Sequence, residues 1–379
     1  MPATAAAQSA PGPQPPTPPA ALAAFDALVP GDLAPGWLRD GVTASWQFGS
    51  VPGGEVAMRL ITVSENATFL VTADGEPAAV VRVARPGYLA GAEAFESEVA
   101  WVAALAADGV CQVPAALRTR SGTFCAALAS DDGTDWWCVA YGYVSGRILE
   151  DLFSDAGSGA SGAAADPTSY CREIGAINAR LHEHALAWVP PAGFARHSWD
   201  VPDMLGPTAR WGRWEDAVDD GAERTLLEEA QAAALEVVGR APRDTAAWGL
   251  VHADLRPSNI MIDPSAGSGG GGLTVIDFDD CGHTWFQYDF AAALSFLEHT
   301  PEAPTMAVEW LAGYTSVRPL ARDAVELGCA LSMVRRLQML GWTTTHRADA
   351  LPPDLWSAQV PGTLEVAESY LRNPSWLLA

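Results

Sequence analysis

Lysine is missing from the 379-residue chain; all 22 basic residues are arginine. Without a lysine amine there is no internal Schiff base, no lysine-anchored pyridoxal phosphate and no P-loop lysine on a nucleotide phosphate. Positive charge is scarce altogether: 22 arginines stand against 46 Asp and Glu, a formal net charge of −24. Such a surface repels nucleic-acid backbones and anionic lipid, so neither nucleic acid nor membrane is expected as a partner. It weakly favours a cationic small ligand, although acidic charge serves equally as a solubility device. Cysteine is sparse as well. Cys111, Cys125, Cys138, Cys171, Cys281 and Cys329 are scattered with no C-x-x-C spacing, which reads as free thiols in a reducing compartment. The uncharged Pro/Ala-rich start, Met1 to Phe25, has no basic region and no continuous apolar run. It reads as a disordered tail over about residues 1–20 rather than a signal peptide. No later run is long enough to span a bilayer, and a cytoplasmic protein is expected.

A hydrophobic fraction of 49% with 18% charged residues is ample for a core, and the length suggests two lobes. Residues 21–145 have a β texture. Glu55–Val63, Ala67–Thr72 and Ala78–Val83 are β-branched runs, the last two joined by an Asp74-Gly75 turn, as in a hairpin. A helix is predicted over Ala92–Ala107 from the spacing of Val99, Val102 and Leu105, and a short one over Ala21–Leu28. Further strands are expected near Ala115–Leu117, Phe124–Leu128 and Trp136–Val144. Residues 146–379 turn helical after a Gly/Ser/Ala stretch, Gly157–Ala165, read as a flexible loop. Helices are predicted over Ser169–Leu186, Ala222–Gly239, Pro304–Tyr314 and Arg322–Leu340, the last with Leu327, Leu331 and Val334 on one apolar stripe.

Within that helical half, residues 248–282 stand apart. His252-Ala253-Asp254 is followed four residues on by Asn259, then by the apolar strand Ile260–Ile262. A glycine loop, Gly267–Gly272, leads to the strand Leu273–Ile276 and to Asp277-Phe278-Asp279-Asp280. Mg²⁺ takes one or two protein oxygen ligands and completes its octahedron with phosphate oxygens and water. Asn259 and Asp277 supply that number once ATP is present. Asp254 is left over as a base for a substrate hydroxyl. Taken singly, each of these residues reads equally well as a turn cap or a solvated loop side chain. The combination, H-x-D, four residues, Asn, an apolar hairpin and I-D-x-D, is a reduced form of the protein-kinase catalytic loop and its metal-binding aspartate.

On these residues the chain resembles the aminoglycoside phosphotransferase/choline kinase family. Ala179-Arg-Leu-His182, Tyr288-Asp289-Phe290-Ala291, Val144-Ser-Gly146 and Ser64-Glu-Asn66-Ala-Thr68 match further segments of it, and the texture is nearest the branch of homoserine kinase type II and the bacterial stress-response kinase. The resemblance implies an α+β, bilobal protein-kinase-like fold, with a β-rich N-lobe, a mainly helical C-lobe and ATP between them. It implies Asp254 as catalytic base, Asn259 and Asp277 as Mg²⁺ ligands, and Asp279 as a further metal or substrate contact. His252 and Asp289 would give structural support. Nucleotide binding would fall to Ser64, Asn66 and Thr68, to Arg82 paired with Glu98, and to a hinge of Tyr141, Gly142, Tyr143 and Val144. Arg82 stands where the family has lysine; arginine keeps the charge with a wider, forked head. Ala253 stands where the family usually has glycine.

The expected activity is transfer of the ATP γ-phosphate to a hydroxyl of a small molecule: an antibiotic such as an aminoglycoside, peptide or nucleoside, an amino alcohol, or a related metabolite. Alternatives are a protein Ser/Thr kinase of the stress-response type and a non-catalytic nucleotide-binding module. Only residues 278–288 separate Asp277 from Asp289, too few for an activation-loop insert, which favours a small acceptor. His182 and His184 diverge around a helix and are expected to pack rather than to bind metal. Trp211, Trp214 and Trp285 are candidates for an acceptor pocket, with a core role the weightier reading. The sequence is silent on oligomeric state.

Overall fold

Alternating apolar residues build an antiparallel sheet in the first third of the chain. The computed structural model describes residues 19–49, 54–88, 91–152, 167–263, 272–321 and 323–378. The Pro-rich start through residue 18, the Gly157–Ala165 stretch and Gly267 to Gly271 lie outside the described residues. The chain packs as two compact units, residues 1–97 with 116–143, and residues 98–115 with 144–379.

In the first unit, β1 (Val56–Val63), β2 (Asn66–Ala73), β3 (Glu76–Ala84), β4 (Cys125–Ala129) and β5 (Asp135–Gly142) form a sheet in the order β1-β2-β3-β5-β4. The Asp74-Gly75 turn joins β2 to β3 with both residues at positive φ (53° and 87°), the backbone of the turn that matches strand twist. Phe69, Val71, Val81 and Val83 are fully buried with Trp46, Met58 and Trp136 in this unit's core. Two short helices precede the sheet, α1 (Pro19–Asp26) and α2 (Gly36–Ser45). The sequence gives little sign of α2: only Leu38 and Val42 are buried, and Gly41 interrupts it. The expected strand at Ala115–Leu117 is reduced to a single bridge, Ala116 with Tyr141. Helix α3 (Ala92–Ala107) begins in the first unit and continues in the second.

The second unit holds β6 (Arg147–Ile148), α4 (Pro167–Ala187), α5 (Val201–Leu205), α6 (Gly221–Arg240) and β7 (Trp248–Val251). Strands β8 (Ile260–Ile262), β9 (Leu273–Val275) and β10 (Gly282–Trp285) follow. The chain continues through α7 (Tyr288–Ala293), α8 (Ala303–Thr315), α9 (Ala324–Trp342), α10 (Pro353–Ser357) and α11 (Gln359–Arg372). Helices α4 and α8 cross with Gly175 against the Trp310 backbone and Gly313 against the Arg172 backbone. A Cβ on Gly175 would stand 2.0 Å from the Trp310 carbonyl oxygen, so only glycine permits the approach. Helix α9 packs against α5, α6, α7 and α11, and from Leu327 to Trp342 every residue is buried. A single apolar stripe was the expectation; the helix is instead enclosed, and it carries two arginines, Arg335 and Arg336, into the interior.

Candidate active site

Two small sheets hold the motif residues of the second unit. β7 pairs with β10, and β8 pairs with both β6 and β9, so the loop 252–259 is anchored at each end by a strand. The Ile276 amide donates to the Asn259 carbonyl (3.0 Å), tying that loop to the segment carrying Asp277. His252 Nε2 hydrogen-bonds the Ile276 carbonyl (3.2 Å) and its Nδ1 accepts from the Asp254 amide (3.3 Å), which assigns the proton to Nε2.

Ala253 adopts φ +68°, the left-handed region, and is fully buried. Buried charges hold both sides of this strained residue. Its amide donates to Asp289 Oδ1 (2.8 Å), and its carbonyl accepts from Arg335 Nη1 (3.0 Å). Asp289, also fully buried, accepts from the His252 amide (3.3 Å) and from His182 Nε2 (2.9 Å). Burial pushes the His182 pKa down, so the ring is neutral and its Nδ1 accepts from the Tyr314 hydroxyl (2.9 Å). That hydroxyl in turn accepts from Arg318 Nη1 (2.9 Å), while burial raises the phenol to about 12. His182 packs, as its spacing suggested, and its packing serves the loop.

Asp254 is half-enclosed, its side chain 15% exposed. Arg335 Nη2 donates to Oδ1, and Asn259 Nδ2 donates to Oδ2 (2.7 Å) and to the Asp254 carbonyl (2.9 Å). Arg256 Nε lies 3.5 Å from Oδ2. Arg335 itself is fully buried, shares the Tyr288 hydroxyl (2.8 Å) and Ser295 Oγ (3.1 Å), and lies 4.9 Å over the Trp211 ring. Sequence reading passed over it. The signal was an arginine pair inside a helix whose neighbouring stripe, Leu331, Val334 and Leu337, is wholly apolar. Trp211, Trp214 and Trp285 are no more than 2% exposed and belong to the core of the second unit, which corrects the suggestion that they line a pocket.

Asn259 spends both amide protons on Asp254, and among the described residues nothing donates to its Oδ1. Asp277 is exposed, with φ +63°. Among the described residues no three His, Cys, Asp or Glu side chains converge on a metal position. The donors present, one carboxylate and one amide oxygen, therefore fit a hard cation that draws its other ligands from phosphate and water, and do not fit an all-protein cage. Asp279 and Asp280 are each 7% exposed. Their backbone carbonyls are held by Arg196 and by Trp199 Nε1 (2.8 Å), respectively.

In the first unit, Ser64 and Glu65 make the tight connection between β1 and β2, where the Ser64 amide donates to the Asn66 carbonyl (2.9 Å). Thr68 stands directly opposite Arg82 across the β2–β3 ladder, and Arg82 opposite Val139 on β5. Arg82 is 6% exposed. Tyr141 and Gly142 end β5, and the Tyr143 amide donates to the Ala78 carbonyl (3.2 Å). Glu98, on the part of α3 that belongs to the second unit, is fully buried.

A homoserine kinase of Chelativorans sp. (strain BNC1) is 31% identical over 192 residues, 49% of this chain and 54% of that protein. The chain thus spans about half the length of the curated relatives it matches. A solved microcompartment-associated aminopropanol kinase is 31% identical, covering 90% of this chain and 99% of that one, with a TM-score of 0.75. An amicoumacin kinase solved with AMP-PNP, Ca²⁺ and its ligand has a TM-score of 0.65 at 16% identity, covering 87% and 92% of the two chains; this likeness is one of fold alone. The fold is kinase-like, α+β, with an antiparallel sheet followed by a mainly helical part. The model of the phosphotransferase enzyme family matches residues 59–327, from β1 through the 252–259 loop and Asp289 into α9, and the chain belongs to that family.

Proposed function

We propose that the protein transfers the γ-phosphate of ATP, with Mg²⁺, to the hydroxyl of a small amino alcohol. The observation that carries this reading is the Asp254 carboxylate, half-enclosed and fixed by Arg335 and Asn259 on a loop braced from beneath by Asp289. A carboxylate so held is a proton acceptor in a set position, and positioning is most of what phosphoryl transfer asks of a protein. The acceptor oxygen forms its bond to the γ-phosphorus, the bond to the β–γ bridging oxygen breaks to release ADP, and the hydroxyl proton passes to Asp254. Asn259 Oδ1 and the Asp277 carboxylate would hold Mg²⁺, and Asp279 a further metal or substrate contact. When bound, that ion supplies charge neutralisation to the phosphate oxygens.

Ser64, Asn66, Thr68 and Arg82, with the backbone of Tyr141, Gly142 and Tyr143, serve the nucleotide in this reading. The amino alcohol is preferred to an antibiotic because the likeness to the aminopropanol kinase carries 31% identity over nearly its whole length. The likenesses to the spectinomycin and amicoumacin enzymes are of 10% and 16%. An excess of acidic over basic residues also suits an ammonium-bearing acceptor.

The test is ³¹P NMR of Mg²⁺-ATP incubations with 1-amino-2-propanol, ethanolamine, homoserine, spectinomycin and a serine peptide. A phosphomonoester is expected from an amino alcohol. Binding of ATP with no transfer to any of the five would overturn the reading.

A further inference from the structure

Arg335 has no place in the motif, yet it hydrogen-bonds two successive residues of the catalytic loop, Ala253 and Asp254. We infer that Arg335 is a positioning residue for phosphoryl transfer, acting through Asp254; this rests on the assignment of Asp254 as the base. Three observations carry it.

The first is connectivity. One guanidinium binds Asp254 Oδ1 through Nη2 and the Ala253 carbonyl through Nη1. It therefore fixes the carboxylate and the strained peptide just before it in a single rigid fork, a task that lysine's single ammonium cannot perform. Asp254 Oδ2 is held in turn by Asn259 Nδ2 (2.7 Å) and approached by Arg256 Nε (3.5 Å), so both carboxylate oxygens are fixed in place.

The second is what holds the fork. Ser295 Oγ takes Nε at 3.1 Å, the Tyr288 hydroxyl takes Nη1 at 2.8 Å and itself bonds Gln338 Oε1 (2.5 Å), and the Trp211 face covers the plane. Every partner is buried, so the guanidinium has one orientation.

The third is a contrast within the same helix. Arg336, the next residue, pairs with Glu298, and both are fully buried, a closed ion pair of structural kind. Arg335 is equally buried, but its carboxylate partner keeps 15% of its side chain exposed. A buried arginine is less stabilising than an apolar residue of its size unless its charge is used. At Arg335 the pair opens outward on the one carboxylate to which the loop chemistry points.

The experiment uses the full chain with Mg²⁺-ATP and 1-amino-2-propanol, comparing Arg335→Met, Arg335→Lys, Asp254→Ala and the double variant Asp254→Ala/Arg335→Met. Loss of positioning predicts a fall in kcat of about 100-fold for Arg335→Met, and of about 10-fold for Arg335→Lys, with the KM for ATP within about threefold of wild type. In the Asp254→Ala background, Arg335→Met should cost nothing further in residual turnover, whereas a merely structural role would subtract again. Melting gives a reading independent of turnover. Asp254→Ala strands a buried cation and should lower Tm by roughly 5 °C, and the double variant should regain much of it.

Arg335→Met or Arg335→Lys with wild-type kcat, or additive losses in the double variant, would overturn the inference. Should Arg335→Met fail to fold, Arg335→Lys and the melting comparison decide. If Asp254→Ala itself turns over normally, the assignment of the base fails instead, and the two failures are distinct.

Discussion

Ala253 occupies the left-handed backbone region at φ +68°, which costs a non-glycine residue roughly 1–2 kcal/mol. Asp289 and Arg335 hold it there from either side. Ala253→Gly removes the strain at the cost of a more flexible unfolded chain, and a net gain of up to about 1 kcal/mol is expected in urea melts. A loss would show that the methyl, buried in the core, matters more than the strain. Asp289→Ala leaves the amides of His252 and Ala253 and the His182 ring without their acceptor. A loss of about 3 kcal/mol or more is expected, with turnover falling in step because the loop moves. Among single residues, the polar ones with fixed spacing, His252, Asp254, Asn259, Asp277 and Asp289, were legible in the sequence because a short loop and a two-strand hairpin bring them together locally. Arg335 was not, because it reaches Asp254 across 81 positions of chain, and local periodicity carries no trace of such a contact.

Helix α9 shows the same limit at the scale of elements. Its existence followed from Leu327, Leu331 and Val334, all buried. Its enclosure did not, because that depends on which helices surround it. The cost of enclosure is visible at Arg336, whose guanidinium is matched by Glu298 (3.1 Å) and Thr363 Oγ1 (3.0 Å). Burial raises the Glu298 pKa, and the Arg336 guanidinium beside it works against that shift. Arg336→Met should destabilise by about 3–5 kcal/mol by stranding the carboxylate, and adding Glu298→Leu should restore most of it. A double variant no more stable than the single one would show that the helix needs the charges for more than their mutual neutralisation. Strand elements followed the sequence more closely: β2 alternates in burial over most of its length and pairs with β3 around the Asp74-Gly75 turn, while β1 is interrupted by a register shift between Leu60 and Thr62. The bridge at Ala116 fell short of a strand, and α2 passed unseen for want of an apolar stripe.

Over the molecule as a whole, composition bears on stability through histidine as well as through the charge of −24. Burial holds His182, His283 and His299 below the usual imidazole range and His197 well below it. A depressed folded pKa means that the unfolded chain takes up protons first, near pH 6.5, while the folded one does not. Their contribution is therefore complete above about pH 6.5 and is lost as pH falls from there towards the folded values. Tm measured from pH 7.5 to 5.5 should decline, and His197→Asn should flatten the decline; an unchanged slope would remove His197 from the account.

In the proposed reading the nucleotide's cation is Arg82, which stands opposite Thr68 on the neighbouring strand. Arg82→Lys should leave ATP binding measurable and turnover within about tenfold if only charge is needed there. A loss beyond about 100-fold would mean that the forked head is itself required.

In the proposed reaction Asp254 takes the proton of a small hydroxyl acceptor while Mg²⁺-ATP is held by other residues. The most direct measurement is kcat alongside ATP affinity for Asp254→Ala, with 1-amino-2-propanol as acceptor. Turnover is expected to fall by at least about 1,000-fold while the Kd for Mg²⁺-ATP stays within about threefold. Turnover close to wild type in Asp254→Ala would contradict that role for Asp254.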